Sequence, residues 1–387
     1  MRDSSGEGLG GPRRFLSVLS SRSDDGAPVL LGPNWFASAM GTAIVAVAAA
    51  TLPIVLPGVG FIANLAWGLS VAVLALLLVV VPIHWMVTPG AFRRLLDDVV
   101  MAQFFGAPPM ALMAVGAATL LVGSHHLGET LAFRIDAVLW GVGTLLGLVS
   151  AVFVPFLLFT QHEVRPDGAF GGWLMPVVPP MVSATTGGLL LRFVPEGQAR
   201  QTLLFGGYAL FGASLVASLI VVSMIWSRLA HFGSSGSARV PTLWIVLGPI
   251  GQSITAAGVL GAGAALAVPA PLADALRLFA VVYGVPMWGF LLLWMALATL
   301  LTARAWRRKM PFALTWWSFT FPVATCVTGT NQLARHTGLV AFQYAAVALF
   351  ALLVTAWVAV AVGTLLALGR GELVAPGPSK PAVASKG

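Results

Sequence analysis

Trp316-Trp317-Ser318-Phe319-Thr320-Phe321-Pro322-Val323-Ala324-Thr325-Cys326-Val327-Thr328-Gly329-Thr330-Asn331 is the stretch that decides how this chain is read. The run is apolar overall, yet it holds a proline, a glycine and a row of hydroxyls. Phe321, Thr325, Thr328 and Gln332 recur at helical spacing, so they share one face. Turned toward acyl chains, that face would leave polar groups unpaired, which is costly in lipid. It is expected to face protein or a water-filled path. Four other segments repeat the pattern, and five such faces around one path make a pore.

Working outward, composition sets the class. Hydrophobic residues make up 58% of the 387 and charged residues only 9%. A soluble domain carries about 25% charged residues, so the chain reads as an all-α polytopic membrane protein. The lone cysteine, Cys326, rules out an intramolecular disulfide and a cysteine-based zinc cluster. The formal charge of +8 is scattered among loops that bound the membrane, so it reports topology rather than nucleic-acid binding.

A span needs about 20 apolar residues. Ten are expected, at 34–54, 62–86, 101–122, 136–159, 172–191, 203–226, 242–267, 273–301, 312–333 and 339–367. They form one transmembrane transporter or channel domain, 33–369. The flanking segments 1–32 and 370–387 are polar and read as disordered cytoplasmic tails. The first of them lacks a long apolar h-region, so no standard secretory signal is expected.

Charge fixes the orientation. Of the 21 basic residues, 16 fall in the tails and in the loops on their side; Arg134, Arg192, Arg200, Arg277 and Arg335 are the other five. The positive-inside rule then puts both termini in the cytoplasm of a multi-pass protein integral to the plasma (inner) membrane.

The odd-numbered spans start at a period of roughly seventy residues, which suits one helical hairpin per unit. Trp35, Phe105, Trp173, Trp244 and Trp316 recur near those starts, as interfacial anchors would. Odd spans also carry polar pairs at helical spacing: Ser38 and Thr42, Ser183 and Thr186, Gln252 and Thr255, Thr325 and Thr328. Most hold helix breakers, at Pro108 and Pro109, Pro176, Pro179 and Pro180, Pro249, and Pro322. Even spans are greasier. Five kinked polar helices inside five apolar ones is the economical arrangement, and those eight polar residues are the expected pore lining.

The 13 acids fall in tails, loops or span ends, with none expected mid-membrane. Proton-coupled carriers usually keep an ionisable relay there, so a passive path, or coupling through loop groups, is expected. Arg192, Arg200 and Arg335 could gather anions at the outer mouth; capping of a helix end is the competing role for Arg192. His125 and His126 have only Glu129 near them, too few ligands for a metal site. No P-loop, nucleotide fingerprint or nucleophile elbow occurs, so neither an enzyme nor a cofactor is expected.

Four motifs add a resemblance. Pro33-Asn34-Trp35-Phe36-Ala37-Ser38-Ala39-Met40-Gly41-Thr42, Trp173-Leu174-Met175-Pro176-Val177-Val178-Pro179-Pro180-Met181-Val182, Leu247-Gly248-Pro249-Ile250-Gly251-Gln252-Ser253 and Trp316-Trp317-Ser318-Phe319-Thr320-Phe321-Pro322 resemble the tellurite-resistance/dicarboxylate transporter family. That family includes malate carriers, sulfite efflux pumps and plant slow anion channels. The resemblance implies five hairpins in quasi-fivefold order around a central pore, assembled as a homotrimer. It implies Phe321 as the aromatic that occludes the pore, where composition alone suggests an ordinary packing residue. The cargo it implies is a small anion: a four-carbon dicarboxylate such as malate, with sulfite, tellurite-related oxyanions, chloride or nitrate as alternatives. A non-transporting membrane protein is the remaining class.

Overall fold

The computed structural model describes residues 31–234, 237–370 and 373. Most of the two expected tails lies outside the described residues. Among those described, the secondary structure is entirely helical. Ten main helices follow in order: α1 Phe36–Ala50, α2 Val59–Val87, α3 Ala107–Ala118, α4 Glu129–Thr160, α5 Pro179–Leu190, α6 Gln198–Phe232, α7 Leu247–Gly263, α8 Ala270–Trp306, α9 Phe321–Thr337 and α10 Val340–Gly369. Eight helical segments are long and apolar enough to cross a membrane. The expected spans 172–191 and 312–333 instead hold short α-helices of 12 and 17 residues, each preceded by a 3-10 segment.

That 3-10-then-α pattern recurs in every odd helix. Pro33–Trp35, Met101–Gly106, Gly171–Leu174, Ser237–Val246 and Leu314–Phe319 are the 3-10 segments ahead of α1, α3, α5, α7 and α9. The prolines expected to kink these helices sit at their starts. Pro179, Pro180 and Pro322, with the Pro108–Pro109 pair, fall in a first helical turn, where the missing N–H has no intrahelical partner to lose. They begin the α-helices and do not break them.

Burial separates the helices into two sets. In α1, α3, α5, α7 and α9 nearly every residue is buried. The even helices bury a single stripe, such as Ala63, Ala66, Ser70, Leu74, Leu77, Val81 and His84 in α2. Steps of three and four place that stripe on one face, and Leu, Val and Phe cover the opposite one. The fully buried helices pack in a closed cycle, α1 on α3, α3 on α5, α5 on α7, α7 on α9 and α9 on α1.

Close approach between α7 and α9 depends on glycine. A Cβ on Gly251 would stand 2.5 Å from the Thr325 carbonyl carbon, and one on Gly329 would stand 2.9 Å from the Gly251 oxygen.

Indole N–H groups tie the outer helices to the inner ones. Trp67 of α2 donates to Thr119 just beyond α3 at 3.1 Å, and Trp140 of α4 donates to the Ser183 carbonyl of α5 at 3.0 Å. Trp288 of α8 donates to Thr330 of α9 at 3.0 Å, and Trp357 of α10 donates to Thr42 of α1 at 3.2 Å. Each of these bonds reaches into the next unit along the chain, and the last reaches back to the first. Two of the tryptophans expected as headgroup anchors are buried instead: Trp173, and Trp244, which donates to Thr302 of α8 at 2.9 Å.

One expectation about charge is corrected. The expected span 136–159 puts Asp136 at its start, but α4 begins at Glu129, so Asp136 lies about two turns inside and is fully buried. Glu129 and Arg134 lower the hydropathy of that first stretch without interrupting the helix. Gly116 of α3 makes the space, since a Cβ there would collide with the Asp136 carboxylate.

Candidate site: two cavities on either side of Phe321

Among the described residues, two cavities lie between the inner helices, and Phe321 is the one residue that lines both. Phe321 is 3% exposed, and it opens α9 immediately before Pro322.

The cavity on the side of the helix starts has a volume of about 30 Å³. The first turns of α1, α3, α7 and α9 meet there through Ala37, Met110, Pro249 and Pro322, and Val178 brings the approach to α5. Its walls are methionine, proline and aromatic carbon. Ser318 supplies the one side-chain hydroxyl of its lining.

The cavity on the other side has a volume of about 120 Å³ and takes residues from all five inner helices. At roughly 10–15 Å³ per water, it has room for several. Ile44 and Val47 of α1, Ala114 and Ala117 of α3 and Val182 of α5 supply carbon. Polar groups come from Thr51 just after α1, Thr185 and Thr186 of α5, Gln252 and Thr255 of α7, and Thr328, Gln332 and Arg335 of α9.

The hydroxyls are engaged locally. Thr185 donates to the Met181 carbonyl at 3.1 Å and Thr186 to the Val182 carbonyl at 2.9 Å. Thr255 and Thr328 pair across the α7–α9 contact at 2.8 Å. The cavity's remaining N–H donors are therefore the Gln252 and Gln332 amides and the Arg335 guanidinium. Arg335 spends one N–H on the Thr51 carbonyl at 3.0 Å, out of the five that a guanidinium carries.

Of the eight residues expected on the lining, Thr186, Gln252, Thr255 and Thr328 lie on the larger cavity. Ser38, Thr42, Ser183 and Thr325 lie on neither. Ser38 donates to the Trp35 carbonyl at 2.7 Å, and Thr42 accepts the Trp357 indole. Ser183 pairs with Thr144 of α4 at 2.6 Å. Thr325 donates to the Pro322 and Leu247 carbonyls at 2.7 and 3.2 Å.

Helical geometry gives the reason. At about 100° per residue, Thr328 and Gln332 fall about 20° to either side of Phe321, while Thr325 falls about 40° away, toward α7. Ser183 is turned about 100° from Val182 and so faces the outer helix. The hydroxyl stripe of an inner helix thus has two sides, one on the cavity and one that receives tryptophan.

Among the residues outside that expected set, Thr185, Gln332 and Arg335 also lie on the cavity. Carrying the Phe321–Thr328 face two turns further along α9 reaches Gln332 and then Arg335. Of the three arginines expected at the mouth, Arg335 alone lines either of these two cavities. Arg192 pairs with Glu129 at 3.0 Å and covers the Phe193 ring, and Arg200 donates to the Val194 and Leu266 carbonyls, both at 2.9 Å. His126 stacks on Trp67 and pairs with Asn64.

Residues 31–365 match the family described as voltage-dependent anion channel. The chain belongs to that family. It is 28% identical over 310 residues to a sulfite efflux pump of Trichophyton rubrum, covering 79% of this chain and 82% of the relative. An uncharacterized transporter of Methanocaldococcus jannaschii is 25% identical over 343 residues, covering 88% and 95%. A malic acid transport protein of Schizosaccharomyces pombe is 21% identical over 319 residues, covering 80% and 72%. The family places the chain among membrane anion transporters and channels, as the four motifs implied.

Proposed function

We propose that the chain carries small oxyanions of the sulfite class through a pore that Phe321 closes. The observation that carries this reading is the position of Phe321 between two cavities walled by the same inner helices. In this reading residues 33–369 form one domain of ten spans and five hairpins in quasi-fivefold order. The closed packing cycle and the tryptophan bonds between successive units support that order. The 16-to-5 charge split supports cytoplasmic termini in a plasma-membrane protein. The lipid-facing Leu, Val and Phe of the even helices are compatible with the homotrimer that the family resemblance implies.

The physics of passage follows from the walls. An anion between the two cavities passes an apolar stretch on one side and meets Gln252, Gln332 and Arg335 on the other. These contacts are several and individually weak, which conduction requires. At Phe321 the path is apolar, and an apolar constriction gates by excluding water. Thr186, Gln252, Thr255 and Thr328 form the lining in this account.

Sulfite is placed first because a 28%-identical relative is a sulfite efflux pump. Four-carbon dicarboxylates are the second reading, favoured by the 21%-identical malic acid transport protein. Parallel flux of sulfite, malate, nitrate and chloride in liposomes holding the purified protein tests the proposal. Sulfite flux above that of protein-free liposomes is expected, and absence of flux for all four anions refutes it.

A further inference from the structure

Arg335 ends the face of α9 that begins at Phe321 and runs through Thr328 and Gln332 along the larger cavity. Among the described residues it is the one charged side chain on either cavity. Thr328 and Gln332 are buried whereas Arg335 is exposed, so the cavity meets the surface at the Arg335 end. The side chain is anchored there. Its Nη2 donates to the Thr51 carbonyl at 3.0 Å, and Asn331, one turn back on α9, donates to the Thr51 hydroxyl at 3.0 Å. Thr51 directly follows α1, so these two bonds clamp the end of one inner helix to another. Gln332, three residues before Arg335 on the cavity face, adds an amide N–H donor.

A guanidinium presents two edges, each a pair of parallel N–H bonds, and both edges use Nη2 through one hydrogen apiece. The Thr51 carbonyl takes one Nη2 hydrogen, so one edge stays whole. We propose that Arg335 selects anions that present two oxygens, such as sulfite, a carboxylate or nitrate, over halides at this end of the pore. The whole edge meets two oxygens with two parallel bonds. A halide is a single spherical acceptor, so it takes one of those bonds well or both poorly. Charge alone does not draw this distinction, and a lysine ammonium in the same place is a point charge without the fork. Because Arg335 is exposed, water competes for its N–H groups, which keeps the hold weak enough for release.

This rests on the transport reading, so the test has two arms. In the first, liposomes holding wild-type protein, Arg335→Lys or Arg335→Gln are assayed for sulfite, nitrate and chloride at one pH and ionic strength. In Arg335→Lys the sulfite-to-chloride and nitrate-to-chloride flux ratios are expected to fall about tenfold, through a raised KM for the oxyanions. In Arg335→Gln the same ratios fall and chloride flux falls with them. Unchanged ratios in Arg335→Lys overturn the proposal and leave Arg335 as a charge at the mouth and a clamp on Thr51. In the second arm, melting of the detergent-solubilised proteins is followed in each anion at equal ionic strength. Sulfite and nitrate are expected to raise melting relative to chloride more in the wild type than in Arg335→Lys, even if no flux is seen. That result without flux keeps the site and refutes the transport reading, whereas flux with unchanged ratios does the opposite. An equal rise in both proteins overturns the proposal without reference to flux.

Discussion

Replacing Phe321 by alanine is expected to remove the partition between the cavities of about 30 and 120 Å³ and to join them into one space. In a soluble core this change costs about 3–5 kcal/mol. The cost here is expected at or below the lower end of that range, about 2–3 kcal/mol, for two reasons. The ring already borders empty volume on both sides, so fewer dispersion contacts are lost than in a filled core. Within a bilayer there is also little hydrophobic transfer energy to forfeit. The protein is therefore expected to stay folded. A flux increase of tenfold or more, about 1.4 kcal/mol off the barrier, is expected because the widened space holds water continuously. Phe321→Leu should fall between alanine and wild type. The assay is anion flux in liposomes, with the gel-filtration profile and melting of each variant recorded beside it. Unchanged or reduced flux in a well-folded Phe321→Ala protein refutes the partition as a gate and leaves Phe321 as a packing residue.

Thr42→Val removes the oxygen that receives the Trp357 indole and nearly preserves volume, so it should lower stability by about 1 kcal/mol; because Thr42 lies on neither cavity, selectivity among anions should not move, and a changed selectivity would contradict its placement. Gly251→Ala puts a Cβ 2.5 Å from the Thr325 carbonyl carbon, so about 1–3 kcal/mol of destabilisation is expected from overpacking, read by thermal melting. Cysteines replacing His125 or Gln198 should react with an impermeant thiol reagent added outside intact cells, and cysteines replacing Arg165 or Arg307 should not; Cys326 is buried and should stay silent. Labelling of position 165 from outside would reverse the orientation.

Much of the helix layout can be read from the chain, because a bilayer enforces long apolar runs and loop charges record which side they face. The odd and even helices differ in composition for a physical reason: one set is buried all round and the other on one stripe. What composition does not reveal is which side of a polar stripe meets the cavity. Thr42 and Ser183 look like lining residues, yet both are turned toward outer-helix partners, Trp357 and Thr144. A one-residue step turns a helix by about 100°, and no pattern within a single helix fixes that rotation. The prolines mislead for a related reason, since Pro at a helix start and Pro within a helix look alike until the 3-10 segment ahead of it is seen. The burial of Asp136 is not legible in the sequence, because hydropathy weighs charge without knowing that Gly116 leaves space for a carboxylate. Gln332 and Arg335 were within reach, lying on the continued face of Phe321 and Thr328.

The most direct test of the account is the driving force for flux through purified wild-type protein in sealed liposomes. With no ATP present, and with membrane potential and pH set independently, net sulfite movement should follow its electrochemical gradient and reverse when that gradient reverses. Uphill accumulation driven by a pH gradient, at zero potential and equal hydrogen sulfite on both sides, would contradict a passive pore, as would no movement of any anion down its gradient.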